Sequence, residues 1–249
     1  MTLFYLMNQT ASAEHYNDLR NNALQVGLKI NHDKTKIMFI NHHRTGPPPI
    51  QLDGIQVVDE FKYLGARISS TLSDFKQRRG IAWSNFWKLQ RIWKSNDLSL
   101  QLKLRLFDSL ILSLLLYGAE SWTLTATIQN QLNAFATSCY RILLNIKRTD
   151  RVRNERILEI VGRKNLADLV AQRQMRTLGH WLRKENSTIS KYALYTTNKG
   201  KNRRGRSRTI FTKVAEKLTG MPTEEIRLKA MDRIEWRRVV GRIDLQAPG

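Results

Sequence analysis

Residues 27 to 65 decide how the chain folds. They open Gly27-Leu28-Lys29-Ile30-Asn31, continue through Lys34-Thr35-Lys36, and close on Phe61-Lys62-Tyr63-Leu64-Gly65. Residues 36 to 40 are rich in β-formers and predict a strand. Farther on, Asp53-Gly54 stands between Ile50-Gln51-Leu52 and Ile55-Gln56-Val57. Both central positions of a type I′ turn need φ > 0, which Asp-Gly tolerates, so this pattern predicts a hairpin. Between the two lies 42–49, where Pro47-Pro48-Pro49 removes consecutive backbone donors and predicts a loop. His32, His42 and His43 fall near it, but no carboxylate or thiolate stands at ligand spacing. They read as exposed loop residues rather than metal ligands.

Upstream, residues 3–7 are apolar enough for a short strand. Ser12 is a candidate N-cap for a helix over 13–26. There Tyr16, Leu19, Ala23 and Val26 share one face, and Glu14, Asn17, Asp18 and Arg20 face outward. Gly27 supplies the left-handed position that ends such a helix. Downstream the character changes to helix. Residues 74–95 carry Phe75, Ile81, Ala82, Phe86, Leu89 and Trp93, with cations between them. Trp83, Trp87 and Trp93 read as packing residues. Ser99 can cap a second helix whose Leu102, Leu106, Leu110 and Leu114 form an i, i+4 stripe widened by Phe107 and Ile111. Tyr117-Gly118 ends it. A third helix over 126–146 uses Ile128, Leu132, Phe135, Tyr140 and Leu143. Three helices on short connections predict a bundle.

Past residue 147 the pattern is helical and basic. The run 199–208 has six basic residues in ten, with two glycines and no apolar residue, and reads as a flexible polycation. Pro222, Glu224 and Glu225 predict the start of a last helix reaching about Val240.

The totals sharpen this. The 249 residues carry 42 Lys and Arg against 21 Asp and Glu, a net +21. From Arg141 onward there are 27 basic and 11 acidic residues, so +16 of the +21 lies in the last 109 positions. An excess of that size at one end favours a polyanion, most often nucleic acid, over a charge that serves solubility alone. One cysteine, Cys139, excludes an internal disulfide and a Cys-rich zinc module, and suits a reducing compartment such as nucleus or cytoplasm. No stretch reaches about 18 apolar residues, so no membrane partner is expected. Residues 1–7 lack the basic start and cleavage site of a signal peptide.

The order Gly-Leu-x-Ile-Asn-x-x-Lys-Thr-Lys, hairpin, Phe-x-Tyr-Leu-Gly resembles the reverse transcriptases of non-LTR (LINE-type) retrotransposons. The resemblance continues through Leu115-Leu116-Tyr117-Gly118-Ala119-Glu120-Ser121-Trp122. It reaches Leu178-Gly179-His180-Trp181-Leu182-Arg183 and Arg204-Gly205-Arg206-Ser207-Arg208. It closes on Ala230-Met231-Asp232-Arg233-Ile234-Glu235-Trp236-Arg237. The family commonly shows Pro where Ser207 stands.

The resemblance implies an α+β fold in three parts: the end of a palm at 1–72, with a small antiparallel β segment and one helix; a mostly α-helical thumb bundle at 73–148; and a basic helical C-terminal region at 149–249. It implies that Lys34 descends from a lysine able to give a proton to departing pyrophosphate. Lys62, Tyr63 and Gly65 would belong to a primer grip against a sugar-phosphate backbone, with core packing the other reading of Tyr63. Arg78, Arg79, Lys88 and Arg91 would serve a thumb on a primer–template duplex. Arg203, Arg204, Arg206 and Arg208 would neutralise phosphates, with a nuclear-import signal as the competing reading. His180 reads as a packed or loop residue.

The intact family holds two Mg²⁺ ions on an early Asp and an Asp-Asp hairpin. No Asp-Asp pair occurs in this chain, and its first residues correspond to the strand leaving that hairpin. The expectation is therefore a truncated fragment with no metal site and no cofactor of its own, inactive alone, that retains binding to RNA, DNA or RNA–DNA duplex. The alternative is a stand-alone, non-catalytic basic nucleic-acid binding module.

Overall fold

Helix α1 (Ser12–Gln25) ends as its sequence dictates. Gly27 adopts φ +73°, and the Leu28 amide donates to the Ala23 carbonyl at 2.8 Å. Tyr16 and Ala23 are buried, but Val26 lies in the turn past the helix, 70% exposed, and does not complete the expected stripe. The structure, a computed structural model, describes residues 4–5, 12–31, 33–38, 55–63, 65–67, 70–185, 188, 194 and 211–245. It divides into two units, residues 1–76 and 77–249.

In the first unit α1 lies in sequence between β1 (Phe4–Tyr5) and β2 (Lys36–Ile37), and β2 also pairs with β3 (Gln56–Val57). Both pairings are parallel, with Phe4 opposite Lys36 and Lys36 opposite Gln56. This corrects the expected antiparallel palm segment. The β1–β2 connection carries a helix and β2–β3 is joined by 38–55, both long enough for the crossover that parallel strands require. Tyr16, Ile30 and Ile55 form the small core here, with Ile37 packed against it. Antiparallel pairing occurs in a separate hairpin of β4 (Lys62–Tyr63) and β5 (Ala66–Arg67), with Lys62 opposite Arg67. The expected Asp53-Gly54 turn and the histidines at 32, 42 and 43 lie outside the described residues. Asp74, buried in the first turns of α2 (Thr71–Lys88), accepts from the Arg67 amide at 3.0 Å; Arg67 also pairs with Glu60.

The second unit is helical. The run expected at 74–95 is two helices, because α2 stops at Lys88 and α3 (Gln90–Lys94) restarts after Leu89. Ser99 caps α4 (Leu100–Leu106), accepting from the Leu102 amide at 3.3 Å. The helix continues through a π-helical segment (Phe107–Leu112) into α5 (Ser113–Leu115), and Gly118 at φ +74° follows the end of the run. Its buried face is Leu104, Phe107, Ile111 and Leu115, whereas Leu102 and Leu110 are 40% and 43% exposed. The leucine stripe is therefore not the core face. The apolar residues there fall on every side of the helix, so leucine spacing does not select a face, and a π turn re-phases the residues beyond it.

Helix α6 (Ala126–Leu143) buries all five residues that its periodicity nominates. Ring contacts link the elements: Phe86 stacks on Trp93 at 5.2 Å and meets Phe107 at 6.2 Å, and Phe107 meets Tyr140 at 5.4 Å. The Trp93 indole donates to the Phe86 carbonyl at 2.7 Å.

Beyond α6 come α7 (Asn154–Val161) and α8 (Leu166–Leu182). Next are α9 (Phe211–Thr219), α10 (Thr223–Met231) and α11 (Arg233–Gly241). The expected single helix over 222–240 breaks at Asp232, whose carboxylate accepts from the Ile234 and Glu235 amides and caps α11 instead. These helices share a second core that includes Met175, Leu178, Ile226, Trp236 and Val240. Gly179 is decisive in it: a Cβ there would stand 2.2 Å from the Trp236 indole nitrogen. That nitrogen donates to the Met175 carbonyl at 2.9 Å. Two of the sequence stretches that carry the family resemblance therefore meet face to face.

Candidate nucleic-acid interface

Lys34 sits in a turn that Asn31 organises. The Asn31 side-chain oxygen accepts from the Lys34 amide at 3.0 Å, and the buried Thr35 hydroxyl donates to the Asn31 carbonyl at 2.7 Å. The turn fixes the Lys34 backbone and leaves its side chain exposed. Among the described residues no group of three or more His, Cys, Asp or Glu could hold a metal ion. The described residues therefore offer no carboxylate cluster of the kind that a two-Mg²⁺ site requires.

Lys62 is exposed on β4, and Tyr63 pairs with Ala66 across the hairpin. Gly65 at φ +85° occupies the left-handed region that a side chain would strain. Arg78 and Arg79 are half-buried and engaged within the protein. The Arg78 guanidinium lies 4.5 Å above the Tyr117 ring, and Arg79 donates to Gln131 on α6 at 2.8 Å. They tie α2 to its neighbours. Lys88 and Arg91 are exposed, as a backbone-contact role requires. Arg203, Arg204, Arg206 and Arg208 lie outside the described residues.

One aromatic residue differs from its sequence reading. Trp93 is fully buried and Trp83 packs on Phe135 at 4.8 Å, so both are packing residues. Trp87 is 48% exposed and stacks on Trp83 at 6.0 Å with planes 14° apart. The signal was available: Phe75, Ala82 and Phe86 mark the buried face of α2, and Trp87 lies about 100° around the helix from Phe86. An exposed indole beside Lys88 and Arg91 is a surface on which a nucleobase can stack.

Among the described residues the C-terminal cations are mostly solvent-facing. Some are neutralised locally, as in the pairs Arg156–Glu159, Arg227–Glu224 and Lys229–Glu225. Arg148, Arg151, Arg153 and Arg176 are exposed, as are Arg233, Arg237 and Arg238 on α11. None of these seven makes an ion pair among the described residues. His180 is exposed near the end of α8. Burial pushes the Cys139 thiol far above its ordinary range, which keeps it protonated and unreactive.

Among the described residues no helix is long and apolar enough to cross a membrane. A domain of unknown function (DUF6451) matches residues 85–117, from the last turn of α2 to Tyr117. No solved structure matches the chain. An uncharacterized transposon-derived protein of Caenorhabditis elegans is 27% identical over 176 residues, covering 65% of this chain and 62% of that protein. The chain thus spans less than two thirds of the length of that relative, and what it resembles there is a protein of transposon origin.

Proposed function

We infer that the chain derives from the reverse transcriptase of a non-LTR retrotransposon and binds the sugar-phosphate backbone of RNA, DNA or an RNA–DNA duplex without reading sequence. In this reading residues 1–72 descend from the palm, 73–148 from the thumb and 149–249 from the basic region beyond it. The distant likeness to a transposon-derived protein supports the origin. The observation that carries the binding is the set of exposed arginines from Arg148 to Arg238 with no carboxylate partner among the described residues. Arginine forks match phosphate oxygens, and each phosphate neutralised releases a condensed counterion.

Fluorescence anisotropy with a labelled RNA–DNA duplex tests this. Four phosphate contacts would lower affinity by about a hundredfold between 50 and 200 mM salt. Exchanging the duplex sequence should leave the affinity unchanged. A flat salt response, or no binding at low salt, would overturn the reading. Primer extension with Mg²⁺ is expected to be absent, and extension by this chain alone would sink the non-catalytic assignment.

A further inference from the structure

On the second unit a cavity of about 440 Å³ opens where the π segment, α6, the Gly162 turn and the start of α8 meet. That volume is in the range of small-ligand sites. Its wall has two characters. Leu112, Leu166 and Leu169 give an apolar side, while Arg163, Lys164 and Arg173 give a cationic one. The single carboxylate on the wall, Asp108, is already neutralised by Arg163 at 2.6 Å. Lys164 donates to the Gly241 carbonyl at 3.2 Å, and Arg173 makes no hydrogen bond or ion pair among the described residues. The balance of the wall is positive.

The cavity also meets the N-terminal end of α8, a 17-residue helix. Asn165, at its N-cap, makes no side-chain cap there, so the helix start keeps donors that its own sequence does not fill. The Ala167 amide is taken by Asn133 at 3.0 Å, and the first-turn carboxylate of Asp168 is engaged by the Leu245 amide at 3.0 Å.

The second, independent observation is Tyr140. Its side chain is only 3% exposed and lines this cavity, yet its hydroxyl makes no hydrogen bond with any described residue. The hydroxyl is not sealed inside the protein but opens onto the cavity, so a polar atom of whatever fills the cavity is its natural partner. Burial first, and then the nearby Asp108 carboxylate, push the phenol up to about 12, so it stays protonated and able to donate. The π segment, a geometry often found at functional sites, supplies both Asp108 and Leu112 to the wall.

We propose that this cavity binds a phosphorylated nucleotide, its phosphate at the start of α8 between Lys164 and Arg173, its sugar and base against the leucines and the Tyr140 hydroxyl. The nucleotide is either free or the 5′-phosphorylated end of a strand. Its cationic side is Arg163, Lys164 and Arg173, none of which is among the seven arginines from Arg148 to Arg238 that carry the backbone-binding reading.

Isothermal titration of the full chain with AMP in 200 mM salt is the test, with adenosine as the control lacking phosphate. AMP should bind and adenosine should not. Tyr140→Phe keeps the ring and removes only the hydroxyl, and should weaken AMP about tenfold without lowering the melting temperature. Arg173→Gln should weaken it by about tenfold or more. Arg237→Gln, on α11, should leave AMP binding unchanged while weakening duplex binding, so this proposal and backbone binding can fail separately. A preference for a 5′-phosphorylated oligonucleotide over its 5′-hydroxyl form assigns the site to strand ends, and equal affinity assigns it to free nucleotide. No AMP binding, equal binding of adenosine, or indifference to both cavity variants would overturn the proposal.

Discussion

The core around Trp236 and the core around Tyr16 bury an aromatic side chain with a polar atom, and they treat that atom oppositely. In the second unit the Trp236 indole donates to the Met175 carbonyl, and Gly179 leaves the space that the ring fills. In the first unit the Tyr16 hydroxyl is buried with no hydrogen-bond partner among the described residues, in a core of Tyr16, Ile30 and Ile55. One core is specified by shape and hydrogen bonding together. Among the described residues the other holds an aromatic by apolar contact and gives its desolvated hydroxyl no partner, at a cost of about 1–3 kcal/mol. The difference teaches where substitutions will be felt: sharply where a ring is locked in place, weakly or with reversed sign where it is not.

The largest expected effect tests the locked core. Trp236→Ala should cost about 3–5 kcal/mol in the second unit, from lost burial plus the cavity left behind. Gly179→Ala adds one carbon, but that carbon would stand 2.2 Å from the indole nitrogen and 2.4 Å from its neighbouring ring carbon. The ring must move, at about 1–3 kcal/mol. Chemical denaturation measures both, and amide exchange along α8 reports where protection is lost. In the double variant the second change should cost much less than it does alone, because the clash disappears with the ring. Additive losses would break the claim that Gly179 exists to seat Trp236.

This pairing was not legible in the sequence. Gly179 and Trp236 stand out within their own stretches, but nothing in spacing says that a glycine on one helix faces an indole 57 residues later. Local features were legible because local chemistry fixes them: Gly27 and Gly118 by their left-handed φ, Ser99 by its cap, α6 by an amphipathic period with one solution. The 100–115 run was misread because its apolar residues are spread around the whole helix and leave no unique face. Strand direction was misread because strands two residues long carry no period. At the candidate interface the charge was legible, and so was the exposure of Lys88 and Arg91. The inward engagement of Arg78 and Arg79 was not, since it depends on Tyr117 and Gln131, which only tertiary contact brings near.

A smaller effect concerns a buried charge in the better-satisfied core. Burial pushes the Asp168 carboxyl above its ordinary range, although the Leu245 amide donates to it. A carboxyl whose folded pKa is raised binds its proton more tightly folded than unfolded. Its contribution is therefore most favourable below the unfolded value of about 4 and declines as pH rises through the raised folded value. Asp168→Asn keeps an oxygen for the Leu245 amide and abolishes the charge. The difference in stability between variant and parent should shift in the variant's favour as pH rises from 3 upward through that window, read by denaturation at each pH. A shift in the parent's favour would mean that the fold stabilises the ionised form.

The smallest effect carries the sign that decides the comparison. Tyr16→Phe removes one oxygen from a position where it has no partner among the described residues, and retains the ring among Ile30, Ile55 and Ile37. If the hydroxyl is desolvated without return, its loss should be neutral or stabilising by up to about 1 kcal/mol, whereas deleting a satisfied hydroxyl costs about that much. The helix itself should not notice, because Tyr and Phe have nearly equal helix propensities. Amide exchange along α1 gives the readout: protection unchanged or raised keeps the two cores distinct. Protection lowered by a kilocalorie would show that Tyr16 hydrogen-bonds in solution, and that the first unit satisfies its buried polar atom as the second does.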